Sequence, residues 1–284
     1  MNYSNFHTHS NYCDGKGELT DYVLEAKAKN MISLGFSSHA PIPFPCKWCM
    51  KTDDLLQYLL AVDQLKAKHK EIDLYKSLEI DFIPNVTSPS DFANRLDYTI
   101  GSVHFVEKLP DGTFWEIDGL HTLFLEGYEK IFHSNIKEVI SRYFELTRMM
   151  VASSSPTIIG HIDKIKIQNI DGKFFNENDQ WYQDEVIKTL DVIQQYGSII
   201  EVNTRGLYQK KSTTPYPSPW MLEHIDKRNI PITLSSDAHH PSDLTNQFSE
   251  TASLLSKIGF RSLTILHEGK WKPYSFNAHG IKIT

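Results

Sequence analysis

A short β-type segment that ends beside a polar residue, followed by a helical stretch, recurs along the whole chain. Seven such segments are found, at residues 3–10, 33–38, 73–83, 98–105, 157–162, 198–203 and 231–236. Repeated strand–helix units imply parallel strands joined by right-handed crossovers. Seven or eight units in 284 residues predict a closed or distorted (β/α) barrel rather than an open sheet. No internal repeat or linker interrupts the pattern, so we expect a single α/β domain over residues 1–284.

The segments between these strands have helical spacing of apolar residues or residues typical of helix ends. We expect helices at about residues 18–30, 53–69, 89–95, 120–131, 136–151, 180–196 and 244–258, and a last strand at 262–266. One long connection, residues 106–119, contains the turn sequence Pro110-Asp111-Gly112. It predicts a small hairpin that covers part of one end of the barrel.

Two histidines near the start of the chain, His7 and His9, are two positions apart in the first predicted strand. Residues i and i+2 of a strand project from the same face, so the two imidazoles should lie side by side. Paired neutral imidazoles suit a divalent metal ion. Such pairs also occur by chance, so a metal site requires further ligands elsewhere in the chain.

Further metal-competent side chains stand at or near the carboxyl ends of the other strands, where barrel enzymes carry their functional residues. They are His39, Glu79, His104, His161, Glu201, Asp237 and His239. Each has a structural alternative when taken singly: a histidine can cap a loop, Glu79 can pair with a lysine, and Asp237 can begin a helix. Packing explains the whole set poorly, because unpaired polar clusters are costly to bury. The other seven histidines lack this placement and are interpreted as surface or structural residues.

The overall composition limits the kinds of partner. A net charge of −6 argues against a nucleic-acid polymer, and no apolar run is long enough for a membrane span. The N-terminus lacks the features of a signal peptide. Three cysteines offer no disulfide framework, so we expect a cytoplasmic location. Cys46 and Cys49 have C-x-x-C spacing without a second pair or a redox context, and are interpreted as an incidental loop pair.

Seven short segments, in order over nearly the whole chain, resemble the PHP (polymerase and histidinol phosphatase) superfamily. They are His7-Thr-His9-Ser with Asp14-Gly15, Gly35-Phe-Ser-Ser-His39-Ala-Pro, Leu78-Glu79-Ile-Asp, Gly101-Ser-Val-His104, Gly160-His161-Ile-Asp, Glu201-Val-Asn-Thr-Arg205-Gly and Ser236-Asp237-Ala-His239. The second and sixth of these segments resemble in particular the monofunctional histidinol-phosphate phosphatases of histidine biosynthesis.

The resemblance implies a distorted, TIM-like (βα)7 barrel that holds two or three divalent metal ions. The implied ligands are His7, His9, Glu79 and Asp237 for one metal, Glu79, His104 and His161 for a second, and Asp14, His39 and His239 for a third. Some relatives have a histidine where this chain has residues 11–14, so Asp14 departs from the family pattern. Histidine-rich ligation with carboxylates suits zinc, manganese or iron better than magnesium.

The resemblance implies an enzyme that hydrolyses a phosphate monoester, L-histidinol phosphate, to L-histidinol and phosphate. Clustered metals can bind phosphoryl oxygens and generate hydroxide near neutral pH, so we expect attack by metal-activated hydroxide without a covalent phosphoenzyme. Arg205 is the expected phosphate contact, and Lys164 and Lys166 are weaker candidates. Asp237, His239 or a metal-bound water could supply the leaving-group proton. Glu201 could bind the substrate ammonium group or have a structural role.

Three other functions fit parts of the pattern. A PHP phosphoesterase for another small sugar or nucleotide phosphate would share the metal site and differ at the rim of the pocket. An amidohydrolase would need a carbamylated lysine or an equivalent ligand, whereas Glu79 occupies that position. A non-catalytic metal-binding module would bind metal without phosphatase turnover. The sequence leaves open the physiological metal, the residues that recognise the imidazole, and the oligomeric state.

Overall fold

The computed structural model describes residues 2–283. The strands of this part of the chain are β1 (Ser4–Asn5), β2 (Ser33–Phe36), β3 (Asp73–Lys76), β4 (Glu79–Asp81), β5 (Ile100–Ser102), β6 (Phe105–Lys108), β7 (Phe114–Glu116), β8 (Ile158–Ile159), β9 (Ile199–Asn203), β10 (Ile232–Ser235), β11 (Ser262–His267), β12 (Lys270–Asn277) and β13 (Gly280–Ile281). The α-helices are α1 (Leu19–Ala28), α2 (Leu55–Lys68), α3 (His121–Lys130), α4 (Ile136–Ser154), α5 (Gln180–Tyr196), α6 (Arg205–Tyr208), α7 (Pro219–Lys227) and α8 (Phe248–Ile258).

The parallel strands form two sheets, in the order β1–β2–β3 and β10–β9–β8–β5–β4. The third predicted segment, residues 73–83, contributes to both, because β3 pairs with β2 while β4 pairs with β5. Two parallel bridges complete the circle: His39 pairs with Glu79, and Thr8 pairs with Ala238 beyond the end of β10. With β3 and β4 counted as one bent strand, seven parallel strands surround the core, which confirms the predicted distorted (βα)7 barrel.

The barrel strands are buried on both faces, as expected for parallel strands covered by helices. Every residue of β2, β9 and β10 is buried. The helices cover these strands with one apolar face each; α4 buries Val139, Tyr143 and Phe144, and α5 buries Tyr182 and Leu190 in the same cluster. Burial of this apolar surface is the main favourable term in folding, and it fixes the positions of the strand ends.

The C-terminal segment adds an antiparallel sheet outside the parallel barrel. The sequence predicts β11 but neither β12, which pairs with β11, nor β13, which pairs with β12. Strand β12 is largely exposed and lacks a regular alternation of apolar and polar residues, so its pattern carries little strand signal. This sheet packs on the start of the barrel: Asn2 pairs with Gly280, and the rings of Phe6 and Trp271 have centroids 5.0 Å apart.

Most of the predicted helices are observed close to their expected bounds, and the predicted hairpin is present as β6 and β7. Helix α8 begins at Phe248 rather than Leu244, because Gln247 has a left-handed backbone with φ of 65°. Residues 89–95 form two short 3-10 turns instead of one helix, and α7 is not predicted from the sequence. None of the helices in residues 2–283 has both the length and the apolar character needed to span a membrane.

Gly35 in β2 leaves room for Tyr98, whose hydroxyl donates a hydrogen bond to the Phe6 carbonyl at 2.5 Å. A methyl group at position 35 would overlap the phenol of Tyr98, so Gly35→Ala is expected to destabilise the fold by roughly 1–3 kcal/mol. Chemical denaturation measures this loss. If the overlap is the cause, the double variant Gly35→Ala/Tyr98→Phe will lose less stability than the two single variants combined. Strict additivity would contradict this explanation.

Candidate metal centre

Residues that follow the first barrel strand, β1, lie beside residues that follow the last one, β10. His7 and His9 follow β1, and Asp237 and His239 follow β10. The His9 amide donates to the Ala238 carbonyl at 2.8 Å, and the Ala238 amide donates to the His7 carbonyl at 3.1 Å. Asp237 has a left-handed backbone with φ of 51°. This conformation is uncommon outside glycine and is concentrated at functional sites.

Glu79, the first residue of β4, lies at the centre of the cluster, with 1% of its surface exposed. Its Oε2 lies 3.1 Å from His7 Nε2, 3.4 Å from His9 Nε2 and 3.1 Å from His39 Nδ1. Asp237 approaches the same histidines, with its Oδ1 3.2 Å from His9 Nε2. The structure therefore brings together the four residues that the resemblance assigns to the first metal.

The other carboxylate oxygen of Glu79 faces the second predicted group. Its Oε1 lies 2.9 Å from His161 Nε2 and 3.7 Å from His104 Nε2, and accepts a hydrogen bond from the Ser102 hydroxyl at 2.7 Å. Behind His104, Asp81 Oδ1 accepts a hydrogen bond from the His104 amide and lies 3.0 Å from its Nδ1. Asp81 therefore orients the ring so that Nε2 points at the cluster.

Asp14 lies with the third predicted group, on the solvent side. Its Oδ1 is 3.2 Å from His239 Nε2, 3.9 Å from His39 Nε2 and 4.0 Å from His9 Nδ1. About a third of the Asp14 side chain is exposed, whereas the three imidazoles are largely buried. The departure of Asp14 from the family pattern therefore still leaves a carboxylate beside these histidines.

Three overlapping groups of side chains have the geometry to hold metal ions. They are His7, His9 and Glu79; Glu79, His104 and His161; and His9, Asp14, His39 and His239, with ligand atoms within 4.8 Å of one another in each group. Four buried ring nitrogens of this cluster lack a hydrogen-bond partner among the described residues: His7 Nε2, His9 Nε2, His39 Nδ1 and His161 Nδ1. Buried polar atoms are rarely left unpaired. Imidazole nitrogens of this kind ligate divalent cations, so the cluster fits metal ions.

The charges in the cluster suit this role. Burial opposes ionisation of Glu79, but His7 and His39 beside it hold the pKa of this carboxyl well below its usual range. Burial and the neighbouring His239 keep the pKa of His9 well below that of a free imidazole. The cluster therefore contains an ionised carboxylate and a neutral histidine, as metal ligation needs. Burial opposes the charge of His7 and His104, but Glu201 and Asp81 raise the pKa of these two rings, so a metal ion that binds them must displace a proton.

Glu201 lies behind the cluster and is fully buried. Its Oε1 lies 2.6 Å from His7 Nδ1, and its Oε2 accepts a hydrogen bond from the His161 amide at 2.8 Å. The Asn203 side chain also donates to Oε2, at 3.0 Å. Of the two roles left open by the sequence, the geometry favours the structural one.

Three cations line the pocket in front of the cluster, namely Arg205, Lys164 and Lys211. Arg205 Nη1 donates to the Asp237 carbonyl at 2.8 Å and to His239 Nδ1 at 2.5 Å. Lys164 Nζ lies 3.2 Å from Asp118 Oδ2 and 3.9 Å from Asp237 Oδ2. Although both side chains have partners in the protein, they line the pocket, so the charges of Arg205 and Lys164 face an anion that enters it.

Lys166 does not join these cations. Its Nζ donates to the Thr214 hydroxyl at 3.1 Å and to the Pro215 carbonyl at 2.8 Å, and pairs with Asp163 at 2.9 Å. These contacts hold the loop before α7 in place. The expectation that Lys166 contacts phosphate is therefore wrong, because its charge is used inside the protein.

The pocket also contains residues that the sequence analysis does not single out. Among them are Trp48, Glu116, Asp118, Lys211 and Tyr216. Asp118 Oδ2 lies 4.0 Å from His104 Nε2; burial opposes its charge, but Lys164 and His104 lower the pKa of Asp118 to about 2. Glu116 and Asp118 are two positions apart at the end of the hairpin, the same spacing as His7 and His9. This i, i+2 spacing of two carboxylates could have marked them as candidate pocket residues.

Proteins of known sequence or structure resemble the chain along most of its length. It is 26% identical over 272 residues to the "probable histidinol-phosphatase" of Deinococcus radiodurans, covering 92% of this chain and 95% of that protein. The crystal structure of hisK from Listeria monocytogenes superimposes with a TM-score of 0.75 at 18% identity, covering 87% of this chain and 99% of that one.

A second solved structure is histidinol phosphate phosphatase from Lactococcus lactis, complexed with zinc, L-histidinol and phosphate. It superimposes with a TM-score of 0.68 at 20% identity and covers 99% of both chains. Both structures share the fold of this chain. Residues 5–205, which contain seven of the nine predicted metal ligands, match the family model of the PHP domain. This chain belongs to the PHP domain family.

Proposed function

We propose that this chain is a divalent-metal-dependent phosphomonoesterase that hydrolyses L-histidinol phosphate to L-histidinol and phosphate in histidine biosynthesis. The observation that carries the proposal is the juxtaposition of three overlapping metal-competent groups with Arg205 and Lys164 across one pocket. A phosphate monoester is a dianion, and this pocket offers it the positive charges of two side chains that both approach Asp237. The name of the Deinococcus relative and the ligands of the Lactococcus structure support the choice of substrate.

The proposed ligand sets follow the distances of the cluster. They are His7, His9, Glu79 and Asp237 for the first metal, Glu79, His104 and His161 for the second, and Asp14, His39 and His239 for the third. The zinc in the Lactococcus structure supports zinc, and the ligand chemistry also suits manganese or iron. We propose that residues 1–284 act as one PHP-type phosphatase domain. Three free cysteines support a reducing, cytoplasmic location.

Divalent ions bound here would bind the phosphoryl oxygens, activate water and offset the charge that develops in the reaction. The side chains of the pocket would orient the substrate. Arg205 is buried enough to have lost most of its hydration, and its guanidinium can donate two hydrogen bonds to one phosphate. Lys164 also lines the pocket, near the same Asp237 carboxylate, and adds a second positive charge. No covalent phosphoenzyme is part of the proposal.

Asp237 and His239 are the proposed proton-transfer groups. Burial opposes ionisation of Asp237, but His7 and Arg205 hold its pKa well below the usual range, so this carboxylate is ionised and has no proton to donate. The donor to the leaving alkoxide would then be His239 or a metal-bound water. A histidine cannot donate a proton from the nitrogen that ligates a metal, so this role and occupancy of the third site exclude each other. Metal counting on the active enzyme separates them.

The central test is phosphate release from L-histidinol phosphate beside a panel of sugar and nucleotide phosphates, after removal of metal and reloading with zinc, manganese or iron. We expect kcat/KM for L-histidinol phosphate to exceed that for the panel, and the metal-free protein to be inactive. His104→Ala should abolish turnover with every metal, because it removes a ligand. His267→Ala, which changes a histidine paired with Asp73 outside the cluster, should retain activity.

Two other results would change the conclusion. Metal-dependent activity centred on another phosphate ester would keep the site and replace the substrate. Bound metal without turnover on any ester would favour a non-catalytic metal-binding module.

Arg205→Ala is expected to lower kcat/KM for L-histidinol phosphate about 100-fold, because it removes a charged donor from the phosphate. Arg205→Lys should recover only part of the loss, since an ammonium group cannot reproduce the two-pronged contact. Arg228→Ala is the matched control, because Arg228 pairs with Asp191 on the outer surface. Equal activity of the Arg205 and Arg228 alanine variants would exclude a phosphate contact by Arg205.

Glu201→Gln is expected to weaken metal binding about 10- to 100-fold, because the amide cannot support the His7 ring as a carboxylate does. Metal content after dialysis against a series of chelator concentrations measures the effect. Glu185→Gln is the control, since Glu185 pairs with Arg148 between helices α4 and α5. A Glu201→Gln protein that retains metal like the control would show that this carboxylate does not support the site.

A further inference from the structure

Cys46 and Cys49 lie in the loop between β2 and α2, on either side of Trp48, which lines the pocket. The Cys49 amide donates a hydrogen bond to Cys46 Sγ at 3.2 Å. The loop therefore folds back on itself and brings the second cysteine to the first. Both side chains are partly exposed, so a small reagent can reach them.

One of the two residues between them, Trp48, connects the loop to the metal centre. Its ring lies with its centroid 4.5 Å from that of His39 and 5.3 Å from that of His104. The indole also stacks on Phe105 at 5.5 Å, and its Nε1 donates to Glu116 Oε2 at 3.3 Å. Trp48 therefore touches two of the proposed metal ligands and one acidic residue of the pocket. A change in the backbone of residues 46–49 would move this ring.

The two thiols differ in the way that redox pairs do. A hydrogen bond from the Cys49 thiol lowers the pKa of Cys46, with further help from backbone amides. The same hydrogen bond, together with burial, raises the pKa of Cys49. Cys46 therefore resembles an attacking thiolate and Cys49 a resolving thiol. By contrast, burial and Asp14 raise the pKa of Cys13 to about 12.

We propose that Cys46 and Cys49 are a redox modification site, and that formation of their disulfide displaces Trp48 from His39 and His104 and slows turnover. The proposal departs from the interpretation of the two cysteines as an incidental pair. The effect on turnover rests on the proposed phosphatase function. Formation of the disulfide and movement of Trp48 do not depend on it.

The oxidant in this proposal is a small-molecule disulfide such as oxidised glutathione. The Cys46 thiolate attacks one sulfur of the reagent, whose S–S bond breaks and releases one thiol. Deprotonated Cys49 then attacks the Cys46 sulfur of the mixed disulfide and releases the second thiol. The protein loses two electrons and two protons, and the reagent is reduced to two thiols. Excess dithiol reverses both steps.

The test incubates the metal-loaded protein in buffers with different ratios of reduced to oxidised glutathione. Mass spectrometry of the intact protein and of its peptides identifies the modification. We expect the wild type to lose two hydrogens and to give a peptide with Cys46 linked to Cys49. Cys49→Ser should instead retain one glutathione on Cys46, and Cys46→Ser should remain largely unmodified. Cys13→Ser should behave like the wild type.

Two further measurements, tryptophan fluorescence and phosphatase activity, test whether the state of the two cysteines affects the pocket. Tryptophan fluorescence should differ between the oxidised and reduced wild-type protein, and the difference should be lost in Trp48→Phe. In the phosphatase assay, oxidation should lower kcat/KM severalfold in the wild type, reversibly with dithiol, and should leave Cys46→Ser unchanged. If no ester is hydrolysed even by the reduced protein, the mass and fluorescence readings still decide the modification and the movement of Trp48.

Three results would overturn the inference. The first is accumulation of glutathione adducts in the wild type without an internal disulfide. The second is formation of the disulfide with no change in tryptophan fluorescence. The third is an active enzyme whose kcat/KM is the same before and after disulfide formation.

Discussion

The contact on which the rest of the site depends is that of the Glu79 carboxylate with the imidazoles around it. A buried carboxylate is strongly unfavourable unless its charge is balanced. Five histidines approach its two oxygens, between 2.9 and 3.7 Å. They come from several different strand ends, so Glu79 can be accommodated only when the barrel brings those ends together. Fold and site are therefore specified by the same packing.

The charges are arranged in layers from the barrel interior to the solvent. Behind the histidines lie carboxylates that orient individual rings, Glu201 on His7 and Asp81 on His104. In front of them, Arg205 and Lys164 line the pocket. The carboxylates behind the histidines keep the imidazoles in place. In the pocket, Arg205 and Lys164 lie among further acidic groups, Asp14, Glu116 and Asp118, so cations and anions are both present where a ligand would enter.

The sequence predicts the barrel and the convergence of the ligands because both depend on local periodicity and on the rule that functional groups lie at strand ends. Three features that the sequence leaves open or does not predict each have a particular physical cause. Glu201 stands at a strand end like the ligands, but its side chain is turned inward to His7, and the strand pattern does not distinguish the two directions. Lys166 forms its contacts with a loop far along the chain, which no local pattern reveals. Strand β12 is too exposed to show alternation.

The pairing of Thr8 with Ala238 joins residues 230 positions apart in the chain. During translation, His7 and His9 emerge from the ribosome long before the segment that contains Asp237 and His239. At rates of about 5–20 residues per second, the first ligands wait on the order of 10 s or more for their partners. A nascent chain can offer a metal ion only an incomplete set of ligands during that interval. Tight and selective metal loading is therefore a property of the finished barrel, and it follows synthesis instead of guiding it.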